Sequence, residues 1–562
     1  MARLLSKTLF FITSPRSPMK MLPEIHLLVK HFEGHPWNNK TQTAFMYELS
    51  QDPRFEGTGS FADMAFSARD RINRAPKALG FVDLYPTIQL TDAGKKFLDE
   101  DFTEEIFLRQ LLKFQLPSPY HTQVSNNKID FCVKPYLEIF RLIYTLGKIT
   151  FDEMMIFGMQ LTNYKKFNEI VNKIKQFREA IKNHTGNYKT FTSEYLYNEL
   201  IQIYKDDIET GKTKTRESSD TSLIKFLRTK ANNLRDYTDA CFRYLRATGL
   251  VSISQKGRSL EIIPEKLEDT KYFLDTIDPK PCFINDEEKY KQYLFNASLP
   301  VLYSDNRHNL TKQLSQFGIT YTSDIAKKST DDIKRILRAA INDRKERILQ
   351  DQITKIKSYQ AYQDVINVFR DIRNKNFYDL PLMLEWNTWR AMTMLDGGNI
   401  KANLKFDDYG QPMATASGNM ADIICDYGDF ALAVEVTMQS GQRQYEMEGE
   451  PVARHLAKLK KEHEKEAYCF FIAPKINDSC IAHFYTLHKI NIAFYGGTSI
   501  IIPLELSVFE KMIEQSVKAT YIPTPEQVKR FCDYSMQVAQ NAKDEIEWYT
   551  AIKLKALNWL AA

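Results

Sequence analysis

The sequence predicts a multidomain chain, mainly α-helical in its N-terminal half, followed by a helical linker and a C-terminal α/β domain. Three observations predict it. The length of 562 residues is several times what one core organises, at roughly 100–200 residues per domain. Apolar residues recur at helical spacing in runs such as Ile106, Phe107, Leu111 and Phe114, and again Tyr136, Ile139, Phe140 and Ile143. After Leu380, uncharged apolar strands alternate with helices, the pattern of a mixed sheet covered on both faces.

Residues 1–110 read as helices followed by a small β element. Phe61 to Leu79 carries Arg69, Arg71 and Arg74 on a helical stretch, with Lys77 just past the helix-breaking Pro76. Gly80 follows, then short strands at Phe81–Leu84 and Thr87–Leu90, then a helix bearing Lys95 and Lys96 that Thr91 or Asp92 can cap. Helix, glycine, β-ribbon, capped helix is the order of a winged helix. Residues 111–283 repeat that order. Thr103 to about Gln202 reads as mostly helical, Ser222–Gly249 as a long helix, and Leu250–Ser254 and Leu260–Pro264 as strands joined by the turn Gln255-Lys256-Gly257-Arg258.

Residues 284–372 are helical and highly charged, with Asp331–Lys357 free of Gly and Pro, and read as a linker. Residues 373–562 form the last domain. A helix resumes at Pro381–Trp389 and breaks at Asp396-Gly397-Gly398-Asn399. Strands are expected at Ala421–Tyr427, Phe430–Thr437, Tyr468–Ala473, Asn491–Tyr495 and Ile500–Ile502. One helix between the second and third takes Pro451 as its first residue, and Glu526–Gln540 and Asp544–Leu560 close the domain.

Seven scattered cysteines without a C-x-x-C pair argue against a disulfide framework and a zinc site. The apolar part of the N-terminus, Leu9 to Ile12, is too short for a signal peptide. No stretch approaches the roughly 18 apolar residues of a membrane span. A reducing, cytoplasmic setting without membrane contact is expected.

The net charge is only +5, from 76 Lys and Arg against 71 Asp and Glu, which as a total does not mark a nucleic-acid binder. Its distribution does. Lys212 to Arg246 holds nine cations, among them Lys225, Arg228, Lys230, Arg235, Arg243 and Arg246, against four acids. That excess equals the total. The segment immediately precedes the second β-ribbon, and the six cations on its helix are interleaved with Tyr237, Phe242 and Tyr244, where phosphate contact and groove reading need them. The expected partner is double-stranded DNA, held also by Arg69, Arg71, Arg74 and Lys77.

The chemistry candidate is Ser417-Gly418-Asn419-Met420-Ala421-Asp422 followed by the strand Phe430 to Thr437, in which Glu435 follows five apolar residues. A buried Glu is costly unless paired or metal-bound. Asp422 and Glu435, on strands joined by a short turn, can stand side by side, and two hard oxygen donors of that kind bind Mg²⁺. Glu448 can add a metal or water contact, and His455 can bind or relay a proton to a phosphate. Arg454 and Lys458, one helical turn apart, can neutralise it.

These residues carry a resemblance. Val434 to His455 (VEVTMQSGQRQYEMEGEPVARH), Ala416 to Asp422 (ASGNMAD) and Tyr468 to Asn477 (YCFFIAPKIN) resemble the cleavage domain of the AlwI-type family of type IIS restriction and nicking endonucleases. So do Ser14–Glu24, His31–Trp37, Phe66–Ile72, Leu90–Leu98 and Phe242–Leu250. The resemblance implies a winged-helix N-terminal half that binds a short asymmetric site, a helical linker, and a PD-(D/E)xK-like nuclease domain that cuts a few base pairs away. It puts Asp422, Glu435, Glu448 and His455 on catalytic positions. The usual Lys after Glu-x is Thr437 here, which leaves the water-orienting role open between His455 and Lys458.

The expectation is therefore a Mg²⁺-dependent, site-specific type IIS endonuclease of a restriction-modification system. A strand-specific nickase is the main alternative, since a double-strand break takes a second site from a transient homodimer of the cleavage domain or from a small nuclease subunit. A non-catalytic DNA-binding regulator is the rival from another class, which has no need of Asp422, Glu435 and Glu448 together.

Overall fold

The computed structural model of the protein describes residues 2–52, 55, 63–124, 129–254, 257–395, 399–415 and 420–561. The expected turn residues Gln255 and Lys256, the break Asp396–Gly398 and the Ser417-Gly418-Asn419 segment lie outside the described residues. The chain divides into two compact units, Met1–Gln51 with Thr58–Ile341, and Asn342–Ala562 with Asp52–Gly57. The division falls within the segment expected as a linker, inside one long helix, Thr330–Lys357.

In the first unit, the Asp63 side chain caps the helix Met64–Arg74 by accepting from the Phe66 N–H, and Ala68 and Ile72 are its buried residues. The strands Val82–Asp83 and Gln89–Leu90 pair antiparallel. Thr91 Oγ1 caps the next helix, Asp92–Phe97, through the Gly94 N–H at 2.9 Å and donates to the Gly80 carbonyl at 2.6 Å. Gly94 is required there, since a Cβ would lie 2.0 Å from the Phe81 carbonyl oxygen. That close approach lets Phe81 stack on Phe97 with centroids 4.0 Å apart.

The second β element has a strand that the sequence does not announce. Val251–Ile253 and Ser259–Ile262 pair as expected, but Lys148–Thr150 adds on the other side of Ser259–Ile262, giving a three-stranded antiparallel sheet. A strand of three residues, set between Gly147 and a helix whose capping box already uses its last residue, Thr150, is too short for a period-2 signal. The long helix Leu223–Arg246, capped by Ser222, precedes the hairpin.

The helices after residue 284 do more than connect. Leu310, Leu314, Ile333, Leu337 and Ile341 form a core of their own in the first unit. Beside it, Arg109 is 2% exposed and reaches Glu105 at 2.6 Å and Asp305 at 2.7 Å, while Lys334 contacts the same two acids at 2.8 and 2.6 Å. Two cations and two anions thus close on one another.

The second unit is built on a five-stranded sheet preceded by helix α1 (Leu380–Leu395). Its strands are β1 (Asn399–Ala402), β2 (Ile423–Asp426), β3 (Phe430–Val436), β4 (Glu466–Ala473) and β5 (Ile501–Glu505). The spatial order is β5-β4-β3-β2-β1, parallel from β3 to β5 and antiparallel from β3 to β1. Phe430 to Val434 are all buried, as a strand in the middle of a covered sheet demands. Helices α2 (Gln442–His463) and α3 (Asp478–Lys489) follow β3 and β4. Leu506–Lys518, Pro525–Asn541 and Glu545–Ala556 complete the unit.

Two local expectations are corrected. Asn491–Tyr495 is not a strand. Its end is a 3₁₀ turn, Ala493–Tyr495, stopped by Gly496 and Gly497, both at positive φ. Helix α2 does not begin at Pro451 but at Gln442, with Pro451 inside it. The ring removes one intrahelical donor, and the helix continues because Val452, Ala453, Leu456 and Leu459 bury its apolar face. The correction matters for the site, because it puts Glu448 on the same helix as His455, seven residues and two turns apart.

Candidate active site

The antiparallel register pairs Ile423 with Val434. One step further along each strand, Asp422 therefore comes opposite Glu435. The Val436 N–H donates to Asp422 Oδ2 at 2.9 Å, so the chain of β3 itself clamps the aspartate beside the glutamate. Glu435 is 6% exposed, and its Oε1 lies 2.8 Å from His455 Nδ1 on α2. Burial above all, then the charges of Glu435 and Glu448, push the Asp422 carboxyl well above the usual carboxylate range, against the pull of the Val436 N–H and His455.

Glu448 is fixed independently. Thr437, at the end of β3, donates its hydroxyl to Glu448 Oε1 at 2.7 Å and accepts from the Gln439 N–H at 3.0 Å. Burial raises the Glu448 carboxyl, while the Thr437 donor and His455 lower it. The start of α2 is pinned by Gln444, whose amide donates to the Gln439 and Lys475 carbonyls at 3.0 Å and accepts from the Asn477 N–H at 2.7 Å. Residues 422, 435, 448 and 455 are thus brought to one place by two strands and one helix. Lys458 sits on α2 with its ammonium 3.7 Å from Glu462, and Arg454 pairs with Glu450 at 3.2 Å.

Sequence reasoning passed over Thr437 and Gln444. Thr437 registers in the sequence only as a departure from Lys. Gln444, buried and four residues before Glu448, carries a signal only once α2 is known to start at Gln442. As they stand, no three His, Cys, Asp or Glu side chains among the described residues are gathered as a metal-binding group. What the site offers a hard cation is the Asp422 and Glu435 pair. Two carboxylates that resist sharing a buried space as anions suit an ion that takes one or two carboxylates and keeps its waters.

The cations expected to meet DNA sort by exposure. Arg74 is exposed, paired with Asp70 at 2.6 Å, and Arg69 donates to Gln42 at 2.7 Å and Asn39 at 3.2 Å. Arg71 is ion-paired with the nearly buried Glu24. Lys77 is half-buried, 5.1 Å from the centre of the Tyr120 ring. On the long helix, Arg228 and Arg235 are exposed and Lys225 half-buried. Lys230 lies over the Tyr204 and Phe226 rings at 4.9 and 5.3 Å. The last turns overturn the expectation. Arg246 is 2% exposed, Phe242 and Tyr244 are fully buried, and Arg243 is held by Asp239 at 3.0 Å. The apolar face of the helix turns inward there, so Arg246, Phe242 and Tyr244 are core and out of reach of a phosphate or a base.

No membrane-length apolar helix occurs among the described residues. A search of curated proteins returns no match. Among solved structures, the chain is similar to the small subunit (R.BspD6I2) of the heterodimeric restriction endonuclease R.BspD6I, at 26% identity over 34% of this chain and 98% of that one, with a TM-score of 0.30. It is also similar to the BpuJ1 endonuclease binding domain, solved with pyrene- and phenanthrene-modified DNA, at 13% identity over 50% of this chain and 92% of that one, TM-score 0.33. The sequence model described as AlwI restriction endonuclease matches residues 77–512, more than three quarters of the chain and all four residues of the carboxylate site. On that match the chain belongs to the AlwI restriction endonuclease family, site-specific enzymes that cleave DNA.

Proposed function

We propose that the protein is a type IIS restriction endonuclease that binds a short asymmetric site through its N-terminal half and hydrolyses phosphodiester bonds a few base pairs away. The observation that carries the cleavage part is the facing pair Asp422 and Glu435, with Glu435 on His455. Mg²⁺ held by Asp422 and Glu435 would polarise the phosphate and acidify a water. Glu435 orients His455 through Nδ1, so that a phosphate oxygen meets the imidazole edge. Glu448, steadied by Thr437 and raised by burial, takes the proton of the attacking water, while His455 or Lys458 orients that water. The five-stranded mixed sheet of the second unit, with helix α2 between β3 and β4, is read as a PD-(D/E)xK-like fold in which Thr437 stands in the place of the Lys.

The recognition reading is supported by the three-stranded sheet with the long basic helix in front of its hairpin. That is the order of a winged helix, and Lys225, Arg228 and Arg235 are the cations it offers to a phosphate backbone. Incubation of supercoiled plasmid with the protein and Mg²⁺ tests the proposal. Cutting at one site sequence with a fixed offset is expected, and its absence overturns the reading. One carboxylate pair cuts one strand. Open circle alone as product identifies a strand-specific nickase, and linear product identifies pairing of cleavage domains, from a second copy or a small nuclease subunit.

A further inference from the structure

A groove of about 680 Å³ opens on the first unit, lined by parts of the two segments already singled out for DNA and by the turn of the first β-ribbon. Arg74 ends the first arginine-bearing helix and Lys77 lies in the turn just after it, Tyr237 comes from the long basic helix, and Tyr85 from the turn between the two short strands. Tyr85 is 77% exposed, an aromatic ring held in water at the groove's edge. Phe10 adds a further apolar wall, its ring 6.5 Å from that of Tyr237.

The floor is formed by Tyr120 and Lys77. Tyr120 is 9% exposed, and its hydroxyl is buried with no hydrogen-bond partner among the described residues. Burying a hydroxyl unpaired costs stability, while Phe in its place would pack the same ring at no such cost. Lys77 lies over the same ring and, among the described residues, has no ion pair within 4 Å. The acids at the rim, Asp83 and Glu287, share Lys291 at 2.8 and 4.0 Å. Aromatic walls beside Arg74 and Lys77 describe a ligand that is flat and joined to an anion. The volume lies within the range of about 300–1,000 Å³ typical of small-ligand sites, room for one nucleotide and none for a duplex.

We propose that this groove receives a single nucleotide of the target DNA turned out of the duplex, its base against the Tyr85 and Tyr237 rings and its phosphate on Lys77 and Arg74. The assignment rests on the DNA-binding reading of this half and deepens it: the base seated here is held out of the duplex rather than contacted in a groove of the helix.

The test uses full-length protein carrying Asp422→Asn, to keep DNA intact, and a set of duplexes spanning the mapped site with a single mismatch at each position in turn. A base already unpaired needs no work to turn out. One position is therefore expected where the mismatch tightens binding tenfold or more, while mismatches at bases read in place weaken it. Lys77→Gln and Tyr85→Ala remove that gain. If the matched duplex binds and no mismatch tightens it, the groove proposal falls and the DNA reading stands. If no duplex binds, both fall. If the four deoxynucleoside monophosphates at millimolar concentration raise the melting temperature of the parent but not of Lys77→Gln, and no mismatch tightens, the groove serves a free nucleotide and the proposal is overturned.

Discussion

Glu435 shows how much one residue can be made to do by its neighbours. Its strand buries five apolar residues before it, its carboxylate meets His455 at 2.8 Å, and its position across from Asp422 follows from strand register alone. Asp422→Asn and Glu435→Gln should each lower the cleavage rate by about 100-fold or more with DNA affinity unchanged, as read by plasmid cleavage and gel shift on the same preparations. Thr437→Val should lower kcat by about 10- to 100-fold, the value of one hydrogen bond to a charged group, with KM unmoved. Thr437→Ser should restore it, because the hydroxyl that holds Glu448 returns. Val that cuts as well as Thr would remove Thr437 from the site.

Elements decide which of the candidate residues can act. Helix α2 carries Glu448 and His455 on one element, and the inward roll of Leu223–Arg246 took Arg246 out of reach of DNA. Neutralising Lys225 or Arg228 to Gln should therefore reduce the slope of log affinity against log salt by about one each. Arg246→Gln should leave the slope alone and lower the melting temperature, as befits a buried side chain. Gly94→Ala should cost about 1–3 kcal/mol, since its Cβ would meet the Phe81 carbonyl; a urea titration measures it. The carboxylates, the basic helix, the β-ribbons and most sheet strands were legible because apolar runs, caps and charge clusters are local. Lys148–Thr150 was too short to signal. Pro451 misled, because a helix-start preference is weaker than the burial of Val452, Leu456 and Leu459. Tyr244 and Arg246 are common to core and interface, and composition alone does not distinguish the two.

For the whole molecule, pH acts through stability as well as through chemistry. Glu138, fully buried in the first unit, has its carboxyl pushed up from 4.5 to about 7 by burial, against the pull of Arg141. A carboxyl raised by folding favours the native state while it stays protonated. Its contribution is present in full below about 4.5 and is lost as pH rises through about 7. The melting temperature of the first unit should fall between pH 5 and pH 8, and Glu138→Gln, which stays neutral, should flatten that fall. An unchanged pH profile in Glu138→Gln would assign the dependence elsewhere.

The closed cluster of Arg109, Lys334, Glu105 and Asp305 has a practical consequence. Its cations are 2% and 8% exposed, so dissolved ions hardly weaken it, whereas the proposed contacts of Arg228 and Arg235 to a phosphate backbone lie in full view of them. A concentrated sodium chloride wash should strip carried-over nucleic acid from the purified enzyme while leaving the half proposed to grip it folded, and the enzyme should regain its site on simple dilution.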